Sequence, residues 1–237
     1  MLIRLEVLGR SLSLVIIMTE TIIEDKGLKT KKYSDFYTTT FGKTILEKEL
    51  VILNRELSGC QRVLSIGCGP AIHELELTKL NSSLEVICVE PSDMMLKEAQ
   101  QLLKDMKLIQ GIAEQLPLKN EMFDCVYFLT SFEFIKDSMR TLKETSRVLK
   151  PGGALLLLIS NFKSWYFQKE HAESNSYFES KIEHFDNTKL NEIISKQFKI
   201  SSVTLELGIK GEEIFESSDP KWASLYVIFT TKREVNN

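Results

Sequence analysis

A chain of 237 residues with 43% hydrophobic side chains is long enough for one globular domain with a sizeable core. Thirty basic residues against 33 acidic ones, a net charge of -3 and no basic block exclude the electrostatic footprint of a nucleic-acid binder and favour a small-molecule partner. The cysteines Cys60, Cys68, Cys88 and Cys125 form no C-x-x-C, and His73, His171 and His184 are scattered, so no metal-ligand set is visible and the thiols read as reduced, buried groups of a cytoplasmic protein.

In chain order, residues 1–18 read as a leader or appendage. The apolar tail Ser11 to Met18 is too short to span a bilayer and lacks a small-x-small cleavage site, so no membrane span is expected; Met18, followed by Thr19-Glu20, is an alternative start and a signal peptide a further option. Residues 19–60 read as an N-terminal helical cap. Within it Tyr33, Phe36, Tyr37 and Phe41 precede Gly42-Lys43, and Ile45, Leu46, Leu50, Leu53 and Leu57 recur at helical spacing over Thr44 to Leu57. Strands are expected at Arg62 to Ile66, Leu84 to Val89, Lys107 to Gln110, Cys125 to Leu129 and Ala154 to Ile159, with helices at Met94 to Leu103 and Ser138 to Leu149. This alternation implies a parallel sheet with right-handed crossovers and a ligand crevice at the carboxyl ends of its strands. A polar, aromatic-rich stretch follows, then a helix at Thr188 to Gln197 and strands at Lys199 to Leu207 and Leu225 to Thr231.

The chemistry centres on the end of the first strand, which opens onto Gly67-Cys68-Gly69. Glycines there let the backbone turn sharply and a nucleotide-like ligand approach it closely. Glu90, at the tip of the second strand, is placed to accept hydrogen bonds from both hydroxyls of a ribose, so an adenosine-containing cofactor is expected. The dinucleotide pattern G-x-G-x-x-G requires glycine at 72, where Ile72 stands, whereas G-x-G-x-G requires it at 71, occupied by Ala71. Neither match decides alone.

Three further segments do: Glu90-Pro91-Ser92-Asp93-Met94-Met95-Leu96, Leu116-Pro117-Leu118 with Phe123-Asp124, and Leu149-Lys150-Pro151-Gly152-Gly153. With the glycine loop, this block from Arg62 to Asn161 resembles the class I S-adenosylmethionine (SAM) dependent methyltransferases, in particular the type 11-like small-molecule enzymes, and the resemblance fades on either side. It implies an α/β fold, a Rossmann-like three-layer sandwich on a mostly parallel seven-stranded sheet with an antiparallel last strand, over residues 61–237. By the same resemblance Gly67, Cys68 and Gly69 meet the methionine portion of SAM, Glu90 binds the ribose, Pro91 lies against the adenine, Ala113 and Glu114 line the adenine pocket, and Leu129 to Phe134 overlooks the methyl group. Glu133 there is either a general base or a solvated acid at a helix start, and Phe134 is a pocket wall.

Two flanking segments complete the expected site. Tyr33 and Tyr37 resemble an aromatic element that folds over the cofactor, where a ring face suits a sulfonium; an amphipathic helix burying aromatics is the alternative. Residues 161–185 carry Trp165, Tyr166, Phe167, His171, Tyr177, Phe178, His184 and Phe185 and read as a substrate lid, with Trp165 and Tyr166 touching the acceptor, or else as solvent-facing helices with aromatic anchors. Ser65, Ala71 and Ile112 depart from the family pattern, standing where relatives commonly carry an acid, a glycine and an acid. The function these observations imply is methyl transfer from SAM to a small molecule, with S-adenosylhomocysteine as product. A catalytically silent SAM- or adenosine-binding module and an NAD-dependent oxidoreductase are the alternatives.

Overall fold

The computed structural model describes residues 33–103, 106–173 and 187–233. The 1–18 segment and the aromatic and histidine positions Tyr177, Phe178, His184 and Phe185 lie outside them. Helix α1 (Thr40–Glu56) starts where the Thr39 hydroxyl accepts the Gly42 N–H at 3.0 Å, and it buries Ile45, Leu50, Ile52 and Leu53. Strand β1 (Arg62–Ile66) leads through the glycine loop into α2 (Ile72–Leu80). Then come β2 (Glu85–Glu90), α3 (Asp93–Leu102), β3 (Lys107–Gln110), β4 (Phe123–Leu129) and a 3-10 turn at Phe132–Phe134. Helix α4 (Ser138–Val148), β5 (Leu149–Ser160), α5 (Trp165–Glu173), α6 (Asn187–Ser195), β6 (Phe198–Lys210), β7 (Glu213–Phe215) and β8 (Ala223–Lys232) complete the order.

The described residues form one 8-stranded sheet in the order β3-β2-β1-β4-β5-β8-β6-β7. Strands β1 to β5 pair in parallel, whereas β8 lies antiparallel between β5 and β6. The central strands are apolar on both sides because both faces are covered. Val63, Cys88, Tyr127 and Leu156 point into the layer that holds α1, α2, α3 and α5, while Leu64, Ile87, Val126 and Leu155 point into the layer of α4 and α6. This is the expected Rossmann-like sandwich.

The sheet has one strand more than the expected seven. Gly211, with φ of 62°, turns the chain so that β7 folds back on an extended β6 with Gly208 opposite Phe215. A Cβ on Gly208 would lie 2.7 Å from the Phe215 ring, so the close approach needs glycine. Three residues with two charged neighbours give no alternation to read, which is why this strand was not expected. Helix α2 also escaped the sequence reading, because its inward face carries His73 and Glu74 beside Leu77. No helix among the described residues is long and apolar enough to cross a membrane.

Ala71 caps α2 with φ 58° and ψ 36°, a left-handed conformation, and is 0% exposed. The strain of about 1 to 2 kcal/mol is offset by about 0.8 kcal/mol for the buried methyl and about 0.5 to 1 kcal/mol of backbone entropy that glycine would lose. The balance explains how alanine substitutes for glycine at this turn. Ala71→Gly is therefore expected to shift the melting temperature by less than about 3 °C in either direction. A larger rise in a thermal scan would show that the strain outweighs the methyl.

Candidate functional site

At the carboxyl end of β1 the chain must leave the sheet, reverse and enter α2 within five residues, 67 to 71. Gly67 (φ 74°) and Gly69 (φ 57°) take the left-handed conformations this requires. The Gly67 N–H donates to the Val89 carbonyl at 2.7 Å, tying the loop to β2, and a Cβ on Gly67 would lie 2.6 Å from that of Ser131. Ser131 is itself held, its hydroxyl donating to the Ile66 carbonyl at 2.7 Å.

Glu90 ends β2 and is 7% exposed. The Gly69 N–H donates to Glu90 Oε2 and the Ser92 N–H to Oε1, each at 2.9 Å. Burial pushes the Glu90 carboxyl above the ordinary carboxylate range, opposed by the same two N–H groups and reinforced by the nearby Glu74 charge. Both oxygens keep lone-pair capacity beyond one N–H each, so a pair of hydroxyls can still be accepted. Ser92 also caps α3, its hydroxyl accepting the Met95 N–H at 3.4 Å. One sequence segment thus holds the acid and starts the neighbouring helix.

Above the loop lies a cavity of about 500 Å³. It is bordered by Tyr33, Gly67, Gly69, Glu90 and Pro91, and on the far side by Ala113, Glu114 and Phe134. Its size and its largely apolar wall with a few convergent polar groups suit an adenosine-containing ligand. Ser92, Met95 and Lys136, which the sequence does not single out, also border the cavity, as does Ser131 of the 129–134 segment. The first two fall inside the quoted 90–96 segment, and their α3 spacing could have indicated them. Ile112, read as a missing acid, borders the same cavity and is 50% exposed.

Other expected site residues stand elsewhere. The Cys68 side chain turns inward against Cys88, whose thiol, with burial, pushes Cys68 well up. Tyr37 is buried behind Tyr33, 5.5 Å between ring centroids, and meets His73 edge-on at 5.0 Å. Leu129 is half-buried at the end of β4 and does not border the cavity. Tyr166 packs near Phe41 at 6.2 Å and Trp165 near Trp222 at 6.0 Å, and neither is among the residues bordering the cavity.

Glu133 is not the solvated acid of the alternative reading, being 1% exposed. Its Oε1 accepts the Ser160 N–H at 2.7 Å, and burial pushes its pKa up to about 7. A carboxyl with that pKa suits proton transfer, but it faces the end of β5 and is not among the residues bordering the cavity. The sequence offered no sign of the Ser160 contact, which joins residues 27 apart.

A buried polar network under the loop was also missed. The Ser65 hydroxyl donates to Glu74 Oε1 at 2.6 Å and the Tyr127 hydroxyl to the same oxygen at 2.9 Å. Beside it His73 Nε2 and Glu49 Oε2 pair at 2.8 Å, linking α2 to α1.

Residues 64–157 match the family model described as a methyltransferase domain. The chain is 33% identical over 115 residues to a demethylmenaquinone methyltransferase of Staphylococcus saprophyticus, covering 47% of this chain and 49% of that protein. It is 32% identical over 105 residues to a ubiquinone/menaquinone biosynthesis C-methyltransferase of Proteus mirabilis, covering 41% and 42%. These alignments span about half the length of the curated relatives or less. A solved structure from Thermotoga maritima, described as a SAM-dependent methyltransferase and possible histamine N-methyltransferase, shares the fold with a TM-score of 0.71 at 23% identity, over 93% of this chain and 100% of that one.

Proposed function

We propose that this chain, whose residues 64–157 match the methyltransferase-domain model, is a class I SAM-dependent enzyme that transfers a methyl group from SAM to a small-molecule acceptor. The observation that carries the reading is the glycine loop and Glu90 joined by the Gly69 hydrogen bond at the edge of one adenosine-sized cavity. The names of the aligned relatives, which act in quinone biosynthesis, support a small organic acceptor. SAM, when bound, supplies an electrophilic methyl group on a sulfonium, and in-line displacement then depends on alignment and exclusion of water.

In this reading Gly67 and Gly69 admit the cofactor's amino-acid end, Glu90 holds the ribose hydroxyls, and Pro91, Ala113 and Glu114 enclose the base. Tyr33, ahead of α1, closes the cavity, and Phe134 forms the wall towards the acceptor. Tyr37 supports Tyr33 rather than touching the ligand. Trp165 and Tyr166, on α5, belong to an outer cover that shields the acceptor side. The reduced state of Cys60, Cys68, Cys88 and Cys125 supports a cytoplasmic setting.

One observation favours the silent SAM-binding module as a second reading: the Glu133 carboxyl turns to the Ser160 N–H and away from the cavity, leaving that wall without its expected base. Release of S-adenosylhomocysteine from SAM, assayed with phenols, amines and thiols as acceptors, separates the two. Turnover with one acceptor class is the expected result. Tight binding of SAM without turnover across the panel favours the silent module, and preference for NAD over SAM in calorimetry overturns both.

Glu90→Ala is expected to weaken S-adenosylhomocysteine binding by about 1.5 to 3 kcal/mol, the worth of hydrogen bonds to a charged group. It also leaves the Gly69 and Ser92 N–H groups without an acceptor, so the unliganded protein should lose about 1 to 3 kcal/mol of stability. Titration calorimetry and denaturant unfolding read the two effects separately. Unchanged affinity would mean that another group holds the ribose.

A further inference from the structure

Tyr33 walls the cavity on the side of the glycine loop, its Cε1 3.9 Å from where a Cβ on Gly69 would stand. It belongs to a short helical turn ahead of α1. The far end of that turn is packed down, with Tyr37 on His73 at 5.0 Å and Phe36 near Phe41 at 6.2 Å between ring centroids. The hydroxyls of Thr38 and Thr39 donate back to the Asp35 and Phe36 carbonyls at 2.7 Å, which fixes the shape of the turn and not its position over the loop. The near end is held differently. Beside Tyr33, the Ser34 hydroxyl donates to the Glu98 carboxylate of α3, joining residues 64 apart.

Glu98 follows Met95 by three positions, so the two share one face of α3, and a helical side chain leans towards the turn before its own. Met95 borders the cavity. The helix that Ser92 starts beside Glu90 therefore supplies both a wall residue and, one turn on, the acceptor that reaches Ser34. We propose that Glu98 is a positioning residue of the cofactor site, which through Ser34 keeps the Tyr33 ring over the cavity. The proposal rests on the reading of that cavity as a SAM site. Glu98 is not among the residues bordering the cavity, so its removal takes away no ligand contact. What changes is the share of molecules with Tyr33 in place, and apparent affinity falls with that share. A ring that encloses a bound ligand hinders its escape, so the loss belongs to the dissociation rate.

The probe is S-adenosylhomocysteine, with affinity read by titration calorimetry and release by stopped-flow displacement. Glu98→Ala should bind it about threefold to tenfold more weakly, the worth of one half-exposed hydrogen bond, and release it faster by a similar factor. Alanine is the best helix former, so the melting temperature of the unliganded variant should stay close to that of the parent. Ser34→Ala removes the donor from the other side and should give the same loss, with the double variant no weaker than either single one. Glu98→Gln keeps an acceptor and should recover most of the affinity. In a Tyr33→Ala background, Glu98→Ala should have no further effect, since no ring is left to hold. Losses at Glu98 and Tyr33 that simply add would overturn the proposal, as would parental affinity in both Glu98→Ala and Ser34→Ala. Failure of the parent protein to bind S-adenosylhomocysteine would overturn the SAM reading and the proposal with it, and is recognised without any variant.

Discussion

Gly67→Ala is expected to lower the melting temperature by about 5 to 15 °C and to remove measurable binding of S-adenosylhomocysteine. Two effects add. The residue sits at φ 74°, where a side chain costs about 1 to 2 kcal/mol, and its new Cβ would lie 2.6 Å from the Ser131 Cβ and 3.0 Å from its hydroxyl, an overpacking of about 1 to 3 kcal/mol. Ser131 cannot simply turn aside, because its hydroxyl is bonded to the Ile66 carbonyl. Relief would come by moving the loop, which also carries Gly69 and its bond to Glu90. Adding Ser131→Gly to Gly67→Ala should return the clash component and leave the backbone strain. Differential scanning calorimetry on the single and double variants separates them; a single variant as stable as the parent would mean that the loop yields without strain.

The second large effect is a pH dependence at Glu133. Its folded pKa of about 7 lies above the ordinary carboxylate value of 4.5, so between these limits the folded protein retains a proton that the unfolded chain has released. Stability therefore falls as pH rises through this window, is fully retained below it, and is flat above about pH 7. The total is roughly 3 kcal/mol. Glutamine keeps an acceptor for the Ser160 N–H and has nothing to ionise. Glu133→Gln should thus match the parent in urea unfolding at about pH 4 and exceed it by roughly 3 kcal/mol at about pH 8. Parallel curves for the two proteins would show that the Glu133 carboxyl ionises in the folded state as easily as in water.

What could be read from the sequence was local and periodic. The β1 and β2 runs and the segment 90–96 are legible because a buried parallel strand is a continuous apolar run and a cap has a fixed offset from the helix it starts. Tyr33, Glu90, Ala113 and Glu114 border one cavity. Contacts between distant segments left no such trace. Glu74 meets Tyr127 across 53 positions, and its charge on the inner face of α2 disguised the helix itself. Tyr37, Trp165 and Tyr166 read equally as ligand contacts or as packing anchors, because an aromatic side chain looks the same in sequence whether it faces a pocket or the interior; in the structure they pack against His73, Trp222 and Phe41.

The sheet order has a consequence for how the chain acquires its structure. Strands β1 to β5, with the glycine loop and Glu90, can pair once Ser160 has been synthesised, so the nucleotide-binding half depends on contacts no more remote than that. The outer edge of β5 cannot: its partner is β8, residues 223 to 232, inserted between β5 and the earlier-made β6. Until β8 arrives, β5 shows a row of unpaired backbone groups along an apolar strand, a template for pairing with other chains. A nascent chain released near Lys221 would keep the glycine loop and present β5 as an open, apolar edge.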